Sequence, residues 1–322
     1  MPASRWARWS AGNAVLRLAD ACLRGAGQVM FQDHPLSGLC FLAAVACAAW
    51  GAGPPALLPG ALLGLVVSTL TAKGLRADPD ALRQGLYGFN GMLVGLALPS
   101  FVAASPAMWL LLVLGAAASS VAMLALGRAL RRSGVPVLTA PFLLTTWVLL
   151  LIAMAWSLPG VEATSAAEGA LVAPQGGAWV AMPLLRGWIV ALAQVFLLDD
   201  LGSALLVLLG LFVASRSAAA WALIGSALAL GVAVALGLPA LAVSQGLYGF
   251  SPVLTAVALG SAFASSRPWA GAATALAIVL TTLAQVALNA GLGALRLPAL
   301  TAPFVLVTWL FLLMRRRPGT GR

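Results

Sequence analysis

Long apolar runs alternate with brief polar punctuation along this chain, and the runs are too long and too uniform for a soluble fold. Residues 36–72, 84–127 and 217–266 carry no charged side chain. A membrane-spanning helix needs only about 17–25 residues, so the first run divides at the Gly-Ala-Gly-Pro-Pro of 51–55, the second at Pro106 and the third around Leu238-Pro239. With single spans at 137–158, 201–215, 268–295 and 297–314, the pattern predicts ten membrane-spanning helices. Two shorter stretches, 14–32 and 183–198, end near charges or amides and read as re-entrant half-helices. Half-length helices persist at membrane depth only where protein or a water-filled cavity satisfies their ends, which points both toward a pathway.

An internal repeat sharpens this picture. QGLYGFNGMLVGLAL at 84–98 recurs as QGLYGFSPVLTAVAL at 245–259 with nine of fifteen positions identical, and the chain's only two tyrosines, Tyr87 and Tyr248, lie inside it. LTAPFLLTTWVLLL at 138–151 recurs as LTAPFVLVTWLFLL at 300–313 with ten of fourteen identical. A weaker pair, GQVMFQD at 27–33 and AQVFLLD at 193–199, keeps the same order. Shared order and spacing across three pairs mark a duplication. Each half then holds one half-helix and five spans; five is odd, so the halves take opposite orientations and their motifs converge about a pseudo-two-fold axis. The fold class expected is an all-α polytopic membrane protein of two inverted repeats, each five transmembrane helices plus one re-entrant half-helix.

Charge sets the topology. Sixteen of the eighteen Lys and Arg fall on one side of the ten spans, the exceptions being Arg186 and Arg296, so that side is read as cytoplasmic. The boundaries follow: a cytoplasmic N-terminus at 1–13, a first repeat at 14–158, an extracytoplasmic connector at 159–182, a second repeat at 183–315 and a basic cytoplasmic tail at 316–322. No cleaved signal peptide is expected, because Arg5, Arg8, Arg17, Asp20 and Arg24 interrupt any apolar leader. A net charge of +10 would suit nucleic acid only if gathered into a stripe, and these bases are dispersed, so no nucleic-acid partner is expected.

Composition narrows the chemistry. The chain is 62% hydrophobic and 8% charged, with eight acids and one histidine. So few titratable groups argue against an enzyme and make transport the default. Cys22, Cys40 and Cys47 show neither CxxC nor Cys/His spacing, so no metal site is expected, and no cofactor either.

Candidate pathway residues come from the motif pairs. Gln28 and Gln194 are neutral amides, able to donate and accept, within otherwise apolar half-helices. Phe89 with Leu93, and Phe250 with Leu254, stand four apart and share a helical face. Thr139 and Thr301 precede Ala-Pro-Phe, where proline marks a first helical turn and a hydroxyl adds to exposed acceptors. Local capping is the competing role for these threonines. Asp33, Asp199 and Asp200 follow the half-helices, where they serve either as turn residues or as proton carriers.

QGLYGFNG with a second QGLYGF, paired LTAPF motifs and half-helices carrying Gln-Val together resemble the urea transporter family of urea channels, over roughly residues 25–315. The resemblance implies a homotrimer embedded in membrane lipid, in the cell membrane, with one urea pore inside each protomer. It implies flat slots walled by Phe89 with Leu93 and by Phe250 with Leu254, closed by Phe31 and Val195 or by Val29 and Leu197. Gln28 and Gln194 then contribute to a polar ladder, and Thr139 and Thr301 line its middle. Leu197 stands opposite Phe31 in the repeat and breaks the symmetry. The function expected is passive transport of urea, and of short amides; the alternative is a proton-coupled transporter of a small polar solute using Asp33 or Asp199.

Overall fold

The computed structural model describes residues 13–51, 53–161 and 181–315, and within these every regular element is helical. The expected N-terminal segment up to residue 12, most of the connector and the basic tail lie outside the described residues. Helix α1 spans Ala14–Gln28, α2 Pro35–Trp50, α3 Leu57–Gly74, α4 Pro79–Arg83, α5 Gly88–Phe101, α6 Pro106–Ala129 and α7 Ala140–Ala155. Seven more follow: α8 Ala181–Ala193, α9 Leu201–Ala214, α10 Arg216–Ala235, α11 Ala240–Ser244, α12 Phe250–Val257, α13 Ala270–Gly293 and α14 Ala302–Met314. A 3-10 turn, Gln194–Phe196, extends α8, and a π turn, Ala258–Ala262, extends α12.

Local chemistry sets the helix ends. Ser105 begins α6 by accepting from Met108 N, with Pro106 in the first turn where its missing N–H costs nothing. Asp200 accepts from Ser203 N at 2.7 Å and caps α9, a contribution of about 1 kcal/mol. His34 holds the matching place before α2, where Pro35 starts the helix and no side chain caps it.

Four helices, α3, α6, α10 and α13, are each long and apolar enough to cross a membrane alone. A fifth crossing arises if α8 with its 3-10 turn and α9, bent by 73°, act as one broken span. Length and composition therefore support fewer crossings than the ten expected from apolar runs alone. The 24 residues of α6 reach about 36 Å, whereas the 14 of α5 reach only about 21 Å, short of a hydrocarbon core of about 30 Å. Burial accounts for the shortfall. Every residue of α5 from Gly88 to Pro99 is buried, as is α12 from Ser251 to Val257, so protein can satisfy the ends of these helices.

Small residues let α5 sit this deep. Gly91 and Gly95 lie against Gly64 and Gly60 of α3 so closely that a Cβ at any of the four would overlap opposing backbone or the Ser68 side chain. Between α2 and α9, Ser37 Oγ donates to the Gly210 carbonyl and Ser203 Oγ donates to the Ala44 carbonyl, both at 2.7 Å. The start of α2 thus meets the late part of α9 and the start of α9 meets the late part of α2, so the two helices run antiparallel. A second reciprocal pair joins Trp147 Nε1 to the Pro298 carbonyl and Trp309 Nε1 to the Pro136 carbonyl, each at 2.8 Å.

Candidate functional site

Helix α1 and the 3-10 turn after α8 stop in the same way. Phe31 and Leu197 take left-handed conformations at φ 63° and 58°, a geometry costing a bulky L-residue about 1–2 kcal/mol. Chain-reversing amides offset it: Gln32 N donates to the Gly27 carbonyl at 3.0 Å and Leu198 N to the Ala193 carbonyl at 3.3 Å. The glutamines fix what lies beside these ends. Gln28 Nε2 donates to the Gln84 carbonyl at 3.0 Å and Gln194 Nε2 to the Gln245 carbonyl at 2.9 Å, which commits the amino group and directs each Oε1 elsewhere as an acceptor. The glycines that follow, Gly85 at φ 75° and Gly246 at φ 73°, lie in the left-handed region directly against the half-helix backbone, where a Cβ would overlap Gly25 N or crowd Ala191 N.

A cavity of about 220 Å³ gathers the second-half residues. Gln194, Val195, Leu197, Phe250 and Thr301 all line it. Phe101 and Phe142 add aromatic wall from the first half, and Gln285 and Asn289 of α13 add amides. The matching first-half residue Phe31 instead packs edge-on against two rings of the second half, Phe263 at 5.6 Å and Phe304 at 6.1 Å between centroids.

Thr301, which lines this cavity, meets Thr139. Their hydroxyl oxygens are 2.7 Å apart, across 162 residues of sequence, and neither side chain caps its own helix. The local-capping role considered for them is therefore not the one adopted. Leu138 and Leu300 immediately before them are left-handed, at φ 57° and 48°. Asn90 braces the first turn, accepting from Phe142 N at 3.2 Å and donating to the Leu138 carbonyl at 3.5 Å. Ser251 stands at the matching place in the second, its Oγ 3.3 Å from the Leu300 carbonyl.

Other expected residues are placed differently. Leu93 and Leu254 are each 1% exposed and belong to the packed core, as do Val29 and the largely buried Phe89; none of the four lines the cavity. Sequence reasoning did not single out Asn90, Ser251, Gln285 or Asn289. Asn90 and Ser251 were visible as the polar mismatch directly after the shared QGLYGF. Gln285 and Asn289 were visible as amides four apart within an apolar span.

Of the three acids that follow α1 and α8, Asp33 and Asp199 are held by arginines. Asp33 Oδ1 accepts from Arg24 at 2.7 Å, and Arg24 also pairs with Asp20 at 2.9 Å. Asp199 Oδ1 accepts from Arg186 at 2.9 Å, and the same guanidinium donates to the Ser244 carbonyl at 2.8 Å. Arg24 thus ties the turn after α1 back to its own helix, and Arg186 ties the turn after α8 to the end of α11. Among the described residues no group of three His, Cys, Asp or Glu side chains could hold a metal ion.

The family model described as "Urea transporter" matches residues 19–316. Proteins named Urea transporter 1 from Ovis aries and Mus musculus are 30% and 32% identical to this chain over 311 residues, covering 93% of it and 78% of their own length. The Rattus norvegicus protein of that name is 30% identical over 317 residues, with the same coverage. The family model spans most of the chain and the relatives match it at 30% identity or more over 93% of its length, so the chain belongs to the urea transporter family.

Proposed function

We propose that this protein is a passive channel for urea, and for short amides, across the cell membrane. The observation that carries this reading is the cavity together with the contact that Thr301, on its wall, makes with Thr139. Flat apolar and aromatic walls can contact the faces of a planar neutral solute, while Gln194 Oε1, neighbouring carbonyls and the two hydroxyls replace water along its edges. A bare cation would lose far more hydration there than neutral dipoles return. Gln28, Val29, Phe31, Phe89 and Leu93 form the corresponding path on the first-half side, with Leu254 behind Phe250.

The reading includes two inverted repeats, each five crossings plus a half-helix, with both termini cytoplasmic. Reciprocal serine and tryptophan bonds, and the antiparallel course of α2 and α9, support an axis relating the halves. The short helices α5 and α12 then count as crossings because they are buried rather than lipid-facing. Assembly is read as a homotrimer with one pore per protomer, by resemblance. Proton coupling is disfavoured because Asp33 and Asp199 are both committed to arginines.

Stopped-flow urea flux into vesicles containing the purified protein tests this directly. Flux should follow the urea gradient in either direction and ignore an imposed proton gradient. Uptake that requires the proton gradient would overturn the channel reading in favour of coupled transport.

A further inference from the structure

The two halves differ in polarity on one helix that lines the cavity. Gln285 and Asn289 of α13 line it, one helical turn apart. Across the 162-residue offset that relates Thr139 to Thr301, their counterparts are Met123 and Gly127 of α6, which offer no amide. The duplication alone therefore does not explain the pair.

Hydrogen bonds give the pair a direction. Ser251 Oγ and Gln285 Oε1 lie 2.7 Å apart, the usual length of an O–H···O bond, so the hydroxyl donates to the amide oxygen. Gln285 is turned so that its Nε2 donates to Asn289 Oδ1 at 3.0 Å, the usual N–H···O length. The carbonyl oxygen of Asn289 is thereby engaged, and its Nδ2 hydrogens remain to act at the cavity. Gln285 is buried and fixed by two partners, while Asn289 is half-buried. On Gln194 the arrangement is reversed: Nε2 is bound to the Gln245 carbonyl and Oε1 is available. One amide thus presents donors and the other an acceptor to the same space.

We propose that Asn289, oriented through Gln285 and Ser251, is a solute-orienting donor that selects for a strong carbonyl-type acceptor on the substrate. This rests on the channel reading and adds a residue to it. Urea meets both demands, with its carbonyl oxygen toward Asn289 and an amino edge toward Gln194. Thiourea keeps the amino edges and the planar shape but offers sulfur, a weaker acceptor. Gln285 acts through Asn289 and is a positioning residue.

The test compares urea and thiourea flux, each per folded protein, in vesicles carrying the wild type, Asn289→Leu, Gln285→Met and the double variant. Wild type should prefer urea. Asn289→Leu should lower the urea-to-thiourea ratio about three- to tenfold, the worth of one net hydrogen bond, mainly by slowing urea. Gln285→Met should lower the ratio in the same direction, and the double variant should fall no further than Asn289→Leu, because both act through one donor. A general packing defect would slow both solutes alike and leave the ratio unchanged, which overturns the proposal. If Gln285→Met fails to fold, Asn289→Leu and the half-exposed substitution Asn289→Asp, which removes the donors at nearly constant volume, decide it. A wild type that conducts urea while the Asn289 variants keep its ratio sinks the orienting role alone; a wild type that conducts neither solute sinks the channel reading and this proposal with it.

Discussion

Thr139 and Thr301 allow a sharp test because each is the other's side-chain partner. Both are 3% exposed and their hydroxyls are 2.7 Å apart. Valine keeps the shape of threonine and removes the hydroxyl, so either single substitution strands a buried hydroxyl at a cost of about 1–3 kcal/mol. Replacing both removes the donor and the acceptor together, which is nearly neutral. The single losses should therefore fail to add, with a coupling as large as the two single losses together, about 2–6 kcal/mol. Flux should behave otherwise. A passing urea must break the threonine pair before either hydroxyl can serve it, whereas in a single variant the remaining hydroxyl is already free. Each single variant should thus lose at most about tenfold in urea flux, the equivalent of one net hydrogen bond. The double variant, left with carbonyls only, should conduct less than either single one. The assay is stopped-flow urea flux per folded protein, with thermal midpoints of all four proteins taken at one heating rate. Additive stability losses would refute the mutual pairing, and normal flux in the double variant would remove both threonines from the pathway.

Further outcomes follow from other sites. Gly85→Ala and Gly246→Ala each place a Cβ in a left-handed residue pressed against a half-helix, and each should cost more than about 1 kcal/mol of stability, read as a lower thermal midpoint together with reduced urea flux. Leu93→Trp enlarges a side chain in a filled core, so a stability loss of about 1–3 kcal/mol should accompany any block of flux; unchanged thermal stability would mean that Leu93 adjoins open space. A cysteine introduced after Arg322 should resist a membrane-impermeant label applied to intact cells and react once they are lysed, whereas labelling from outside would reverse the assigned topology.

Much of the helical order was legible because the duplication writes it twice. Two threonines aligned only by repeat position proved to be in contact, and helices α1 and α8 stop within a few residues of the ends expected for the two short stretches. What escaped has physical causes. The motif stretch beginning at Gln84 becomes helical only at Gly88, because Gly85 first takes a left-handed turn that an apolar count does not register. Counting charge-free residues also overestimates lipid-spanning helices, since α5 is apolar for burial in protein and not for contact with lipid. Leu93 shares a helix with Phe89, yet a shared face does not say whether it meets solute or packed side chains. Gln285 and Asn289 went unnoticed for the opposite reason: amides leave an apolar run uncharged, and their direction emerges only when Ser251 folds against them.

The reciprocal serine bonds between α2 and α9 also bear on how the molecule can be made. The partners are separated by 173 residues in one bond and 159 in the other. At synthesis rates of about 5–20 residues per second, α9 leaves the ribosome roughly 10–30 s after α2. Through that interval the first half has reached the membrane with one buried face still uncovered. The nascent chain therefore needs a temporary neighbour, such as lipid or an insertion chaperone, and the native packing of α2 becomes possible only late in translation.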